Sequence, residues 1–354
     1  MRTAGLDALL VTSLPNVAYL TGLFASAAAV IVTRDGASLI TDGRYLGIAQ
    51  NLFADTDGVE LSIAPANRPF DVSFAEGLCK IGKCRAGFEA AHLSVKRHAD
   101  LSSRLAALAP GSQLEPTEGL VERLRILKDE WELAVMAEAG RRLSDAAKCI
   151  IPKALAGMQE REVAALIEAE LRRVGFEKPA FDTIVASGPN SAVPHYRAGD
   201  RVLTDGDLVV LDFGGMFRGY AVDLTRTITI GPATPRQRRL LDDIATAQDA
   251  GFATVRQGVA ATEIDRATRE SMTAAGLGDV FGHGTGHGLG LEVHERPRIA
   301  QFRAELPGEP LQPGMVFTIE PGAYFPDWGG ARIEDDAALT ASGAVWLTDV
   351  PRLI

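Results

Sequence analysis

The chain has 354 residues, a net charge of −10, 46% hydrophobic residues and 23% charged ones. That length and balance describe a globular chain with room for two ordinary domains and a large core. The acidic surface repels phosphate and weighs against a nucleic-acid partner. No stretch approaches the ~18 apolar residues that a membrane-spanning helix needs. The three cysteines, Cys79, Cys84 and Cys149, match neither a disulfide framework nor a zinc ribbon, and point to a reducing cytoplasm.

The first residues, "MRTAGLDALLVTSLPNVAYLTGLF", hold one arginine but no long apolar run before a small-residue cleavage site. Their apolar run over 8–11 reads as a buried strand. "DALLV", "AAAVIVT" and "ASLIT" are short apolar strands, the last two joined through a turn at "RDG". "GRYLGIAQNLF" has helical spacing. "RAGFEAAHLSVKRHADLSSRLAAL" continues as strand, loop and helix, with His92 and His98 on the surface. "APGSQLEPTEG" has the composition of a linker. Residues 1–117 thus form an α/β unit.

From residue 118 to 354 the pattern changes. "LVERLRILKDEWELAVMAEAGRRLSDAAKCI" reads as one long amphipathic helix. "QEREVAALIEAELRRVG" reads as a second, ended by Gly175. Strands follow at "FDTIVASG", "DLVVLDFGG" and "YAVDLTRTITI", then helices over 235–257 and 262–275. "GMVFTIEPGAY" and "ARIEDDAALT" close a strand-rich end. The class is α+β, with a large antiparallel sheet in this second domain.

Charges interrupt four of these strands. Asp212 lies in "DLVVLDFGG" and Asp223 in "YAVDLTRT". A hairpin with Phe217 and Arg218 at its tip sets the two directly opposite. Like charges so placed, with Cβ atoms about 4.5–5.5 Å apart, destabilise a sheet. A cation between them is the economical compensation; a shared proton or a nearby arginine is the alternative, and one Asp as a plain turn residue is the bland one. The device repeats where Glu320 ends "MVFTIE" and Glu334 lies in "ARIEDD". An antiparallel return through "PGAYFPDWGG" brings these two together. Arg332 sits two residues before Glu334, on the same strand face. A salt bridge to Arg332 accounts for one of these glutamates, not for two Glu and two Asp at strand positions. Asp335 and Asp336 read as solvated or turn residues. Four carboxylates with a histidine suit two divalent metals such as Mn²⁺, Co²⁺ or Zn²⁺, which about 3.5–4 Å apart activate a shared water in many hydrolases.

"GHGTGHGLGLEVHERP" contains His283, His287 and His294, half of the six histidines in the chain. A spacing of four would put His283 and His287 on one helix face, as in H-E-x-x-H zinc proteases. Glycines at 282, 284, 286, 288 and 290 oppose a helix, and no glutamate lies between the histidines. The segment is therefore extended, its backbone open to close approach. Alternate residues His283, Thr285, His287 and Leu289 then point roughly together. Spacing does not choose the ligand among the histidines, and three satisfied structural histidines are the bland reading.

Taken together, "LDFGG…GYAVDLTRT", "GHGTGHGLGLEVHERPR", "GMVFTIEPGAY" and "GGARIEDD" resemble, in that order, the prolidase and aminopeptidase P family of creatinase-like "pita-bread" metallopeptidases. "SGPNSAVPHYRAGDR" and "LPNVAYLTGL…TDGRY" extend the likeness over nearly the whole chain. The resemblance implies a C-terminal pita-bread domain with a curved antiparallel sheet over 118–354 and a smaller N-terminal creatinase-like domain over 1–117. It implies two divalent metals per chain, Mn first, held by Asp212, Asp223, His287, Glu320 and Glu334, with Asp212 bidentate to one and Asp223 and Glu334 bridging. Glu320 would also take a proton from the attacking water. His195, His283 and His294 match the substrate-side histidines, His294 toward the scissile carbonyl oxygen. Arg332 matches an arginine that orients the site, and Arg298 the one that binds the C-terminal carboxylate of a dipeptide through both oxygens. Thr225 is either a hydrogen-bond partner of the ligands or merely a β-favouring residue.

The activity implied is hydrolysis of Xaa-Pro bonds, as an Xaa-Pro dipeptidase or else as an Xaa-Pro aminopeptidase on longer peptides, by a cytoplasmic homodimer. Methionine aminopeptidase resembles the second half alone, and creatinase works without metal. A catalytically silent binding protein of this fold would have lost ligands, and all five positions are filled here. Relatives usually carry a helix before the first strand; "MRTAGLDALLV" begins almost on it, so the expectation is either a shortened N-terminus or a start codon that lies upstream.

Overall fold

A computed structural model describes residues 5–54, 59–64, 70–304 and 308–352. Contacts divide the chain into two compact units, Met1–Leu124 and Arg125–Ile354.

The first unit runs β1 (Ala8–Val11), α1 (Leu14–Thr21), β2 (Ala28–Thr33), β3 (Ala37–Asp42), α2 (Leu46–Phe53), β4 (Val59–Ala64), α3 (Phe70–Cys79), β5 (Arg85–Glu89), α4 (Val95–Leu108) and β6 (Gln113–Thr117). Its six-stranded sheet has the order β4-β3-β2-β1-β5-β6. β1 pairs antiparallel with β2 and parallel with β5, and all four residues of β1 are buried, as its apolar run predicts. Cores pack on both faces, around Phe74, Leu78 and Leu101 on one and around Val17, Val30 and Leu39 on the other. The stretch expected as a linker contains β6, which pairs parallel with β5. This edge strand is only half buried, so it carries no apolar run to announce it. Helix α1 is likewise absent from the periodicity; Pro15 starts it and Gly22, at φ 71°, ends it.

The second unit follows α5 (Glu122–Arg125), which lies at the junction, with α6 (Glu130–Ile150), α7 (Glu160–Arg173), β7 (Lys178–Pro179), β8 (Ile184–Ser187), β9 (Leu208–Phe217) and β10 (Tyr220–Thr229). Then come α8 (Pro235–Phe252), α9 (Ala261–Ala274), β11 (Gly286–Gly288), β12 (Glu295–Ile299), β13 (Val316–Ile319), β14 (Gly322–Phe325), β15 (Gly329–Arg332), β16 (Asp335–Thr340) and β17 (Gly343–Trp346). The single long helix expected near 120–150 is broken. Asp129 accepts from the Glu132 N–H at 2.8 Å, and Glu132 accepts from the Asp129 N–H at 2.8 Å. This reciprocal cap starts a new helix at Glu130.

All strand pairs of this unit are antiparallel, in one sheet of β10-β9-β7 with β8 beside β9, one of β12-β11-β13-β16-β17, and the β14-β15 hairpin. Helices α6 and α7 pack Leu143 and Ile167 against Phe213 and Leu224 of the first sheet. No helix among the described residues is long and apolar enough to cross a membrane.

The β9–β10 turn corrects the expected hairpin. Phe217 pairs with Tyr220, so the tip is Arg218–Gly219. Both tip residues have positive φ, 49° and 80°, the mark of a type I′ turn whose twist matches the strands. Asp212 therefore opposes Thr225, and Asp223 opposes Gly214. The pairing moves by two residues, an even shift, so both aspartates keep the same face. Arg218 is the sole described non-glycine residue at positive φ, where asparagine is better tolerated. Arg218→Asn should raise stability by about 0.5–1 kcal/mol, read as an upward shift of the denaturant midpoint at constant slope.

Candidate metal centre

Strand pairing brings the acidic positions together. β13 pairs with β16 through Ile319 and Asp335, and β14 with β15 through Gly322 and Arg332. One register runs through both pairs and sets Glu320 across from Glu334, as expected. A bridge between Thr225 and Glu334 joins this strand to β10. Arg226 clamps that junction. Its guanidinium donates to the carbonyls of Thr225 (2.9 Å), Glu334 (2.7 Å) and Val350 (2.7 Å) and to Asp335 Oδ1 (2.7 Å).

His287 enters from β11, between β12 and β13. Ligand atoms of Asp223, His287 and Glu334 all lie within 4.8 Å of one another. Glu320 Oε1 is 3.7 Å from His287 Nε2. The His287 Nδ1 lies 3.2 Å from the Gly288 carbonyl, which can only accept. Nδ1 therefore carries the proton, and Nε2 keeps its lone pair for a cation.

These carboxylates are poorly compensated. Asp212, Asp223 and Glu334 are 7%, 4% and 2% exposed. Asp212 Oδ1 and Asp223 Oδ1 are buried without a hydrogen-bond partner. Burial, then the charges of Asp212 and Asp336, push the Asp223 carboxyl well above its usual range. Burial and the Asp223 charge do the same to Glu334. Burial, backed by Asp212 and opposed by Arg332, pushes Glu320 up to about 7. Divalent cations among these oxygens would supply the missing partners and hold the carboxylates ionised. The donor set, hard oxygens with one imidazole, fits that role.

Arg332, 3% exposed, is the protein's own counter-charge. It donates to Asp212 Oδ2 at 2.5 Å, to Thr225 Oγ1 at 3.2 Å and to Tyr324 Oη at 2.7 Å. Thr225 Oγ1 donates onward to Glu334 Oε2 at 2.5 Å, so Thr225 is a hydrogen-bond partner of the site and not merely a strand former. Tyr324 lies 3.0 Å from His283 Nε2. The His283 Nδ1 faces the Gly284 carbonyl at 2.8 Å, so Nδ1 carries the proton and Tyr324 donates to Nε2 while accepting from Arg332.

The remaining expected residues flank this cluster. The His294 ring sits edge-on to His287, 4.2 Å between centroids. His195 is exposed in the loop after β8, close enough for its charge to act on both His283 and His294. Arg298, exposed on β12, is the register partner of His287 and so shares its face.

Asp335 and Asp336 are a correction. Neither is solvated: they are 3% and 0% exposed. Asp335 accepts from Arg226 and Thr348, and Asp336 Oδ2 accepts from the Asp223 N–H at 3.0 Å. Both lock strands beside the ligands. Sequence reasoning also passed over Tyr324, Arg226 and Asp265. Asp265 Oδ1 takes the Thr285 N–H and hydroxyl at 3.0 and 2.9 Å, and Arg269 donates to the His283 carbonyl at 2.7 Å. A lone arginine in the apolar run of β10 was a readable signal; an aspartate on a polar helix was not.

With this geometry, residues 134–341 match metallopeptidase family M24, and residues 1–127 match the creatinase/prolidase N-terminal domain. The chain belongs to the M24 metallopeptidases and has their creatinase-like two-domain fold. It is 34% identical over 352 residues to the Xaa-Pro dipeptidase of Pyrococcus horikoshii, covering 99% of this chain and 95% of that one. The structure of an Xaa-Pro dipeptidase from Bacillus anthracis superposes with a TM-score of 0.90 at 33% identity, covering 100% of this chain and 96% of that one. An X-Pro aminopeptidase from Thermotoga maritima superposes with a TM-score of 0.87 at 32% identity, covering 100% and 99%.

One pH dependence follows. Burial, with the Arg332 and His195 charges, lowers His283 from 6.5 to about 4. Between those values the unfolded chain binds a proton that the folded chain refuses, so His283 withdraws stability as pH falls through that window. Thermal melts of metal-free wild type and His283→Gln should differ most above pH 6.5, and the wild type's advantage should shrink toward pH 4. A difference constant across the window contradicts this.

Proposed function

We propose that this chain hydrolyses the bond between a residue and a following proline, as an Xaa-Pro dipeptidase. The observation that carries the reading is the cluster of buried carboxylates around His287, with unpartnered Asp212 and Asp223 oxygens, facing a rim that holds Arg298. Asp212, Asp223, His287, Glu320 and Glu334 would hold two divalent cations, Mn²⁺ as first choice, with Co²⁺ and Zn²⁺ suited to the same donors. Bound there, the cations supply Lewis acidity and a water acidic enough to attack at neutral pH.

The chain's own groups do the rest. Glu320, beside the attacking water, accepts the proton as the water oxygen adds to the carbonyl carbon before proline. It returns that proton to the proline nitrogen as the C–N bond breaks. His294 donates to the carbonyl oxygen as charge develops on it. His195 and His283 contact the substrate beside it, the latter oriented by Tyr324. The X-Pro amide has no N–H, so the site need not provide an acceptor for one. Arg298 binds the free carboxylate of a dipeptide with two parallel hydrogen bonds. The similar X-Pro aminopeptidase of Thermotoga maritima supports a second reading, an Xaa-Pro aminopeptidase acting on longer peptides. The three free cysteines accord with a reducing cytoplasm, and the family resemblance supports a homodimer.

Asp223→Asn should lower Ala-Pro hydrolysis by at least about a thousandfold, with bound metal reduced and the circular dichroism spectrum unchanged. Full activity in that variant rules out the ligand assignment. The two substrate readings separate on Ala-Pro against Ala-Pro-Ala, assayed with Mn²⁺, Co²⁺ and Zn²⁺ in turn. A dipeptidase cleaves the first much faster, and Arg298→Ala raises its KM for Ala-Pro about tenfold or more. An aminopeptidase cleaves Ala-Pro-Ala at least as well and is insensitive to Arg298→Ala.

A further inference from the structure

The loop between β8 and β9 carries His195 and has little regular structure beyond one short turn at Gly188–Ala192. Its start and middle converge on one side chain outside the metal centre. Glu160, the first residue of α7, is 0% exposed. Its Oε1 accepts from the Ser187 N–H (2.8 Å), the Ser187 hydroxyl (2.6 Å) and the Asn190 amide (2.9 Å). Its Oε2 accepts from the Gly199 N–H at 3.2 Å, and the Tyr196 hydroxyl is close enough to feel this carboxylate's charge. One buried side chain thus grips the loop at its start and at Gly199, on either side of His195. On the site side, Arg332 donates to the Pro194 carbonyl at 3.4 Å, so His195 lies between a contact to the metal-centre arginine and a contact to Glu160.

We propose that Glu160 is a positioning residue for substrate binding: it fixes the loop so that His195 is presented to the peptide. The proposal rests on the reading of His195 as a substrate contact. Physically, the carboxylate removes the conformational freedom of an exposed loop before substrate arrives, so that ordering is not charged against binding. A neutral amide cannot do the same. In Glu160→Gln the carbonyl oxygen can keep Ser187 and Asn190, but the NH₂ then faces the Gly199 N–H, donor against donor. The hold on the Gly199 N–H is lost, loosening the loop around His195, while the backbone bonds from Arg161 to Gly199 and from Glu160 to Arg201 remain.

The test is a double-mutant cycle on the Mn²⁺-loaded enzyme with Ala-Pro. Glu160→Gln should lower kcat/KM about tenfold, mostly through KM, and His195→Ala should lower it at least as much. The double variant should lose no more than His195→Ala alone. Trypsin acting on the folded protein should also cut after Arg197, whose side chain is 90% exposed, faster in Glu160→Gln, at unchanged metal content. Losses that multiply in the double variant overturn the positioning role and leave His195 as a substrate contact. A wild-type kcat/KM in His195→Ala overturns the His195 reading, and the proposal with it. If Glu160→Gln does not fold, Asn190→Ala removes one donor from the grip; it should show the same non-additivity at smaller size, and additive losses there count against the proposal.

Discussion

Like-charge repulsion between buried carboxylates is the constraint on which the second domain depends. Asp212, Asp223 and Glu334, with the partly buried Glu320, meet where β9–β10 crosses the β13–β16 pair, and carboxylates so shielded from water are unstable as isolated anions. Among the described residues one arginine is in direct contact, Arg332, whose guanidinium spans Asp212, Thr225 and Tyr324. That single charge leaves Asp223 and Glu334 strongly disposed to hold protons. Cation binding and folding of this centre are therefore linked: the same burial that penalises the bare carboxylates is what makes the place selective for divalent metal.

The scaffold around the centre answers to that strain. Arg226 ties Thr225, Glu334 and Asp335 into one rigid crossing, so the carboxylates are carried on backbone that cannot spread to relieve repulsion. Glycine does the complementary work. A Cβ at Gly286 would meet the Thr318 carbonyl, and one at Gly214 would meet the Val222 carbonyl. The backbone of β11 and the position facing Asp223 can approach only because those side chains are missing. Asp265 and Arg269 then hold the start of the glycine-rich segment, and Glu160 holds the loop bearing His195. Rigid elements outside the centre thus hold both histidine-bearing segments.

Most of the second domain's elements were legible because their patterns are unmixed: apolar strands, amphipathic helices, a glycine-bounded helix end at Gly175. The failures have local physical causes. β6 is a half-buried edge strand and looks like a linker. The run near residue 128 keeps its amphipathic spacing across a break that only the Asp129–Glu132 cap reveals. The hairpin register depended on which two residues of "MFRG" take positive φ, and a non-glycine, Arg218, takes one of them. Asp335 and Asp336 looked like turn residues because a run of acids carries no mark of the partners that bury it.

The residue types and their strand positions, by themselves, determined the metal-ligand candidates. A charge in an apolar strand is expensive wherever the strand goes, so Asp212, Asp223, Glu320 and Glu334 stood out before any contact was known. The glycines likewise ruled out a helix across His283 and His287 from backbone entropy alone. Only the tertiary structure decided which groups answer those charges. Tyr324 reaching His283, Arg226 joining β10 to Glu334, Asp335 and the Val350 carbonyl, and Glu160 holding a loop from another element are pairings between residues far apart in the chain. No local pattern encodes them, because a hydrogen bond is specified by where two backbones meet, and that is settled only when the sheets and helices have packed.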